Sequence, residues 1–182
     1  MKRAIVSAAT LAPAALAELK DWLGITTAAE DSSLNGLIRA ALETCEAFTG
    51  TLPLVADCEE LLPARSDWQR LQTSPVFAIT EISSISDTNG RLALPSDAYA
   101  LDFAVDGAGR VRVFNPGLVS RIAVRFTAGL APDWSSLPDG LRHGVIRLAA
   151  HHYRQRENGD KSMLPPAAVA AAWRPWRQIR LL

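Results

Sequence analysis

The sequence predicts an α+β protein: a small helical bundle interrupted by a strand-rich middle and followed by a C-terminal tail. Three observations carry that reading. Near both ends of the 182-residue chain, apolar residues recur at three- and four-residue steps. Over 52–130, polar and apolar residues instead alternate, as in strands with one buried face. Beyond residue 161 the chain turns to proline, alanine, tryptophan and arginine.

The first helix is expected over Pro13–Leu23. Leu16, Leu19 and Leu23 form its apolar line, Trp22 extends that line, and Gly24 sits where helices commonly stop. The second starts after Asp31 or Ser32, whose side-chain oxygens can cap free backbone N–H groups. Its stripe is Leu34, Leu37, Ile38, Ala41, Leu42, Cys45 and Phe48, with Gly50 as the stop. Glu43 and Glu46 lie off the stripe, in water or at a subunit contact. The third begins at Pro138, which suits a first helical turn, and ends at Asn158-Gly159. Leu141, Val145, Leu148, Ala149 and His152 make its inner face. Ala167–Trp173 has room for two further turns, stopped near Arg174-Pro175.

Six strands are expected in the middle: Cys58–Leu62, Trp68–Leu71, Ile79–Ser86, Tyr99–Phe103, Arg110–Phe114 and Arg121–Thr127. Asn89-Gly90 and Asp106-Gly107 tolerate positive φ and mark reversals. Pro132–Pro138 reads as a loop. The expected organisation is one domain over 1–161, with a helical core of 11–50 and 138–158 and a β-rich insertion of 52–130. A tail of 162–182 follows.

Composition narrows the function. No apolar run reaches the ~18 residues of a membrane span. The alanine-rich stretch after Met1-Lys2-Arg3 is broken by Ser7, Thr10 and Pro13, too weak for a secretory leader. Cys45 and Cys58 have neither CxxC nor metal spacing and read as reduced, partly buried thiols. Net charge is zero but unevenly spread. Residues 1–141 carry 11 Lys/Arg against 17 Asp/Glu, a balance of −6; residues 142–182 carry 8 against 2, a balance of +6. A basic end on an acidic body fits an end that meets something, not a sequence-reading DNA-binding face.

No catalytic, cofactor or metal site is expected. His143 and His151 are two helical turns apart and could share a face. They have no carboxylate or thiolate at fitting spacing, and no HExxH exists. Adjacent His151 and His152 point in different directions, so packing or hydrogen bonding is their expected role. Gly-x-Ser-x-Gly, GxxxxGK[ST] and a strand-following GxGxxG are all missing.

Several motifs occur in a telling order. They are Leu19-Lys20-Asp21-Trp22-Leu23 with Gly24-Ile25, Glu30-Asp31, and Leu34-Asn35-Gly36-Leu37-Ile38-Arg39-Ala40-Ala41 closing at Thr49-Gly50. Val124-Arg125-Phe126-Thr127-Ala128-Gly129 follows, then a Pro138 helix with His151, Tyr153, Arg156 and Glu157, and last Trp176-Arg177-Gln178-Ile179-Arg180-Leu181. Over about Leu11–Leu182 the chain resembles the head–tail connector, or adaptor, proteins of long-tailed phages and gene transfer agents. Its strand-rich middle is longer than in the smallest members, which are nearly all helical.

The resemblance implies a structural protein without substrate or cofactor. It implies a ring, usually of twelve copies, between the portal and a stopper or tail-terminator protein in the particle neck. Assembly would take place in the bacterial cytoplasm, with no membrane involved, and DNA would cross the channel without specific binding. Each firm phosphate contact would hold DNA back, which an acidic body avoids. A stopper or tail-completion protein is the alternative within the neck. A single-stranded nucleic-acid-binding module is the alternative from another class.

Trp173, Arg174, Trp176, Arg177, Ile179, Arg180, Leu181 and Leu182 form the candidate partner site, a portal-docking tail. Tryptophan and arginine are over-represented among interface hot spots. The competing readings are tryptophans folded back onto the core and a strip that grips nucleic acid. On the docking reading, Trp173 and Trp176 are exposed in the free chain until a partner covers them.

Overall fold

The computed structural model describes residues 3–86, 90–117, 119–158 and 165–178, apart from the side chains of 156–158. The fold is α+β and divides into two compact units. One comprises residues 1–9 and 55–130 and holds the strands; the other comprises residues 10–54 and 131–182 and holds the helices.

The helical unit contains α1 (Pro13–Leu23), α2 (Asp31–Thr49), α3 (Asp139–Asn158) and α4 (Ala167–Trp173). Gly24 ends α1 at φ 71°, where the following N–H of Ile25 reaches back to the Lys20 carbonyl at 2.9 Å. A residue with a Cβ is strained in that left-handed conformation. α2 buries Leu34, Ile38, Ala41, Cys45 and Thr49, a line at four- and three-residue steps. Leu37, Leu42 and Phe48 flank it half-buried, so the stripe is narrower than the sequence reading drew it.

Two local expectations are corrected here. Glu30 holds the N-cap position of α2, and no side chain caps the helix. The Asp31 carboxylate instead meets Lys20 Nζ at 2.7 Å, an ion pair between α1 and α2. Trp22 does not extend the core line of α1: it is 45% exposed.

α3 is the hub of the unit. It packs against α1, α2 and α4 and buries Leu141, Val145, Ile146, Leu148, Ala149 and Ala150. Two long-range hydrogen bonds fix the neighbouring segments. Trp134, fully buried in the loop before α3, donates from Nε1 to Glu18 of α1 at 3.1 Å. The Tyr153 hydroxyl donates to Glu30 at 2.6 Å.

The strand unit contains two antiparallel sheets. The larger has the order β1-β2-β8-β4-β5 and the smaller β3-β7-β6. β2 (Ala56–Pro63), β4 (Val76–Ile85), β6 (Tyr99–Phe103), β7 (Gly109–Val113) and β8 (Arg121–Ala128) lie where alternation predicts them. β3 is only Gln69–Arg70. β1 (Arg3–Ser7) and β5 (Arg91–Ala93) were not expected. The β6–β7 reversal uses Gly107 at φ 78°, and a Cβ there would also sit 2.9 Å from that of Pro75. Asn89 lies outside the described residues, but Ser86 and Gly90 pair across the other expected reversal at 3.0 Å.

Two acidic side chains organise this unit. Glu59 of β2 binds Arg91 through both carboxylate oxygens, at 2.7 and 2.8 Å, and Arg125 of β8 at 3.0 Å. The Arg91 hydrogen bond is the main reason its carboxyl sits below the ordinary 4.5. Glu60 is 2% exposed and accepts from the backbone N–H groups of Gln72 and Thr73 and from the Thr73 hydroxyl. A buried carboxylate is tolerable with that many donors. Cys45 and Cys58 are buried thiols, and burial pushes Cys45 up to about 12.

Candidate docking site in the C-terminal segment

The candidate residues of the tail divide into three groups. Trp173 ends α4 and is completely buried within the helical unit. Its Nε1 donates to the Leu141 carbonyl at 3.3 Å, and its ring leans on Phe48 with centroids 6.0 Å apart. Gly144 makes the indole's place possible, since a Cβ there would collide with Nε1. The expectation that Trp173 is exposed in the free chain is therefore corrected. Burial of an indole is worth several kcal/mol by area, and its N–H keeps a partner.

Arg174, Trp176 and Arg177 form the second group. A 3₁₀ turn over Arg174–Trp176 extends α4, and Arg174 and Arg177 are exposed. Trp176 is 37% exposed and lies beside the start of α3, where a methyl on Gly140 would sit 3.6 Å from its Nε1. The Arg177 guanidinium stands over the Phe48 ring at 5.5 Å. The Gln178 N–H donates to the Thr49 carbonyl at 2.8 Å, satisfying a free group at the end of α2. The third group, Ile179, Arg180, Leu181 and Leu182, lies outside the described residues.

Phe48 is the member that sequence reading missed in this role. It is half-buried, with Trp173 on one side and Arg177 on another. Its place at the edge of the α2 stripe was legible; its contact with a segment 125 positions later was not.

A second feature of the helical unit is an open cleft of about 660 Å³ lined by Glu18, Asp21, Trp22, Asp139, Arg142, His143 and Ile146. Trp22 meets His143 edge-on at 5.3 Å. Arg142 bridges Asp139 at 2.8 Å and Glu18 at 3.7 Å. His152 is held below its ordinary value by burial, with His151 adding to the effect. Among the described residues no group of His, Cys, Asp and Glu could hold a metal, and no helix is long and apolar enough to cross a membrane.

Comparison with known proteins identifies the class. Residues 13–98 match the family described as phage gp6-like head-tail connector proteins. Three solved structures match across the whole chain. A chain from the neck of an empty gene transfer agent particle, computed with C6 symmetry, is 27% identical with a TM-score of 0.78. One from the virion of a native gene transfer agent particle is 29% identical with a TM-score of 0.75. One from the neck of a native particle, computed with C12 symmetry, is 26% identical with a TM-score of 0.75. Each comparison covers 100% of this chain and 98% of the other. No curated protein sequence matches.

The class is thus a structural assembly protein rather than an enzyme. Within it, the family match over residues 13–98 and the whole-chain likeness to gene transfer agent neck chains support a connector, or adaptor, role, as the resemblance implied.

Proposed function

We propose that the chain closes into a ring of twelve copies beneath the portal and joins the DNA-filled head to the stopper or tail-terminator protein. The observation that carries this reading is the end-to-end likeness to neck chains, one of them computed with C12 symmetry. Rings of identical subunits need two different, mutually complementary flanks on each copy. Assembly takes place in the bacterial cytoplasm, and DNA crosses the channel without specific contacts.

The portal contact is made by Arg174, Trp176 and Arg177, continued by Ile179, Arg180, Leu181 and Leu182. Trp173 supports them from inside. Its burial also weakens the single-stranded nucleic-acid reading, which needs both tryptophans as stacking platforms.

The test is a chain carrying Arg174→Ala, Trp176→Ala and Arg177→Ala together. These side chains are exposed or nearly so, and the variant should melt close to the parent. Purified heads should then lack both connector and tail. Normally tailed particles from a folded variant would remove the docking role. Images of parent particles should show a closed ring on the channel axis; a singly occupied position would remove the ring.

A further inference from the structure

Four strands stand at sheet edges in the strand unit: β1 and β5 in one sheet, β3 and β6 in the other. β3 has two residues and β5 three, whereas β1 and β6 have five each. An open edge of that length offers a row of N–H and C=O groups to another strand unless charge, proline or a covering segment blocks it. Over Ala4–Ser7, β1 has neither charge nor proline. Its Ile5 and Val6 are 48% and 53% exposed; the strand is regular over Arg3–Ile5, and a bulge interrupts it between Ile5 and Ser7. β6 is open too, with Leu101 and Phe103 at 38% and 49%.

We propose that β1 of one copy adds antiparallel to β6 of the next, so that the strand units are stitched together by main-chain hydrogen bonds. The pairing rests on the ring reading above, which needs two unlike surfaces per copy; these edges are two such surfaces. The register sets Arg3 opposite Asp102, Ala4 opposite Leu101 and Ile5 opposite Ala100, and it ends where the bulge of β1 begins. Charge fixes that choice. Arg3, which also donates to the Thr73 hydroxyl at 3.5 Å, is the one cation of β1, and Asp102 is the one carboxylate of β6. Asp102 is half exposed and only loosely engaged by Arg110, at 3.7 Å. Opposite charges facing each other across a strand pair are favourable, as are apolar pairs such as Ala4 with Leu101. A parallel alignment that also joined Arg3 to Asp102 would run off β6 after a single further residue.

The pairing is tested by placing Ile5→Cys and Ala100→Cys in one chain. Both sites are on the surface or close to it, and the native thiols at Cys45 and Cys58 are buried. Particles are purified, mildly oxidised and run without reductant. A ladder of covalent multimers is expected. Ile5→Cys with Leu92→Cys, which uses the β5 edge instead, should give monomer alone. Monomer alone from the Ala100 pair, in particles whose images show a closed neck ring, would overturn the strand pairing and leave the ring standing. Necks without any ring would overturn both. A ladder from the Leu92 pair only would reassign the junction to β5 and overturn the proposal.

Discussion

Removing the Trp173 side chain would empty a site walled by Leu141, Gly144 and Phe48. Trp173→Ala should cost ~3–5 kcal/mol of stability, read from denaturant unfolding of the whole chain. Gly144→Ala approaches the same contact from the other side and should also destabilise, by ~1–3 kcal/mol, because the indole has nowhere to move without losing its carbonyl partner. A second prediction concerns Glu59. Its folded-state carboxyl is depressed, mainly by Arg91, so its pairing contributes stability above the ordinary 4.5 and loses it as pH falls through the lower folded value. Glu59→Gln should therefore be less stable than the parent at neutral pH, and the difference should shrink on acidification. Thermal melts across pH 2–7 (a window set roughly around carboxylate titration) check both the size and the direction. Cys45, raised to about 12 by burial, should stay unreactive toward a thiol reagent at mild alkaline pH until the chain unfolds.

At the scale of elements, α2 gives the sharpest contrast. Ile38 is fully buried on its inner line, while Leu42 lies half-buried on the flank. Ile38→Ala should cost ~2–5 kcal/mol and Leu42→Ala clearly less, an ordering that paired unfolding curves would establish. The helix itself was legible because its 3.6-residue period runs over five turns before Gly50 stops it. So were β7, whose alternation is plain in Arg110–Val113, and β8, although its Ile122, Ala123 and Val124 are all buried in the centre of the sheet. β1 was hidden because Arg3–Ser7 is too short and too evenly apolar to show a period, and because its pairing with β2 is a contact across some fifty residues. Asp31 was misplaced for a related reason. Cap propensity is local, but Lys20 on a neighbouring helix competes for the same carboxylate. The tail was partly legible: spacing put tryptophans and arginines together, yet only the fold separates Trp173 from Trp176.

For the whole molecule, the uneven charge has a direct reading in assembly. Exposed Arg147, Arg154, Arg174 and Arg177 all belong to the basic C-terminal part. If the portal templates the ring, isolated copies at modest concentration should stay apart, because each flank contact is weak until neighbours are held in place. Sedimentation of the purified chain should accordingly show monomer. Adding purified portal should shift it into a large complex, more readily at low salt than at high. Higher oligomers without portal would mean that the flanks suffice alone.

The helical unit is assembled from residues 10–54 and 131–182, and its central plug, Trp173, belongs to the second of these segments. On the ribosome, α1 and α2 are the first parts of the helical unit to emerge and must wait while residues 55–130 of the strand unit are made. Until α3 and then Trp173 follow, Leu34, Ile38, Ala41 and Phe48 have no lid. The nascent chain thus carries an uncovered apolar helix face for most of its synthesis, an opening for chaperone capture or for premature association between neighbouring nascent chains. The strand unit faces a shorter delay, because β1 meets β2 soon after Pro63 appears.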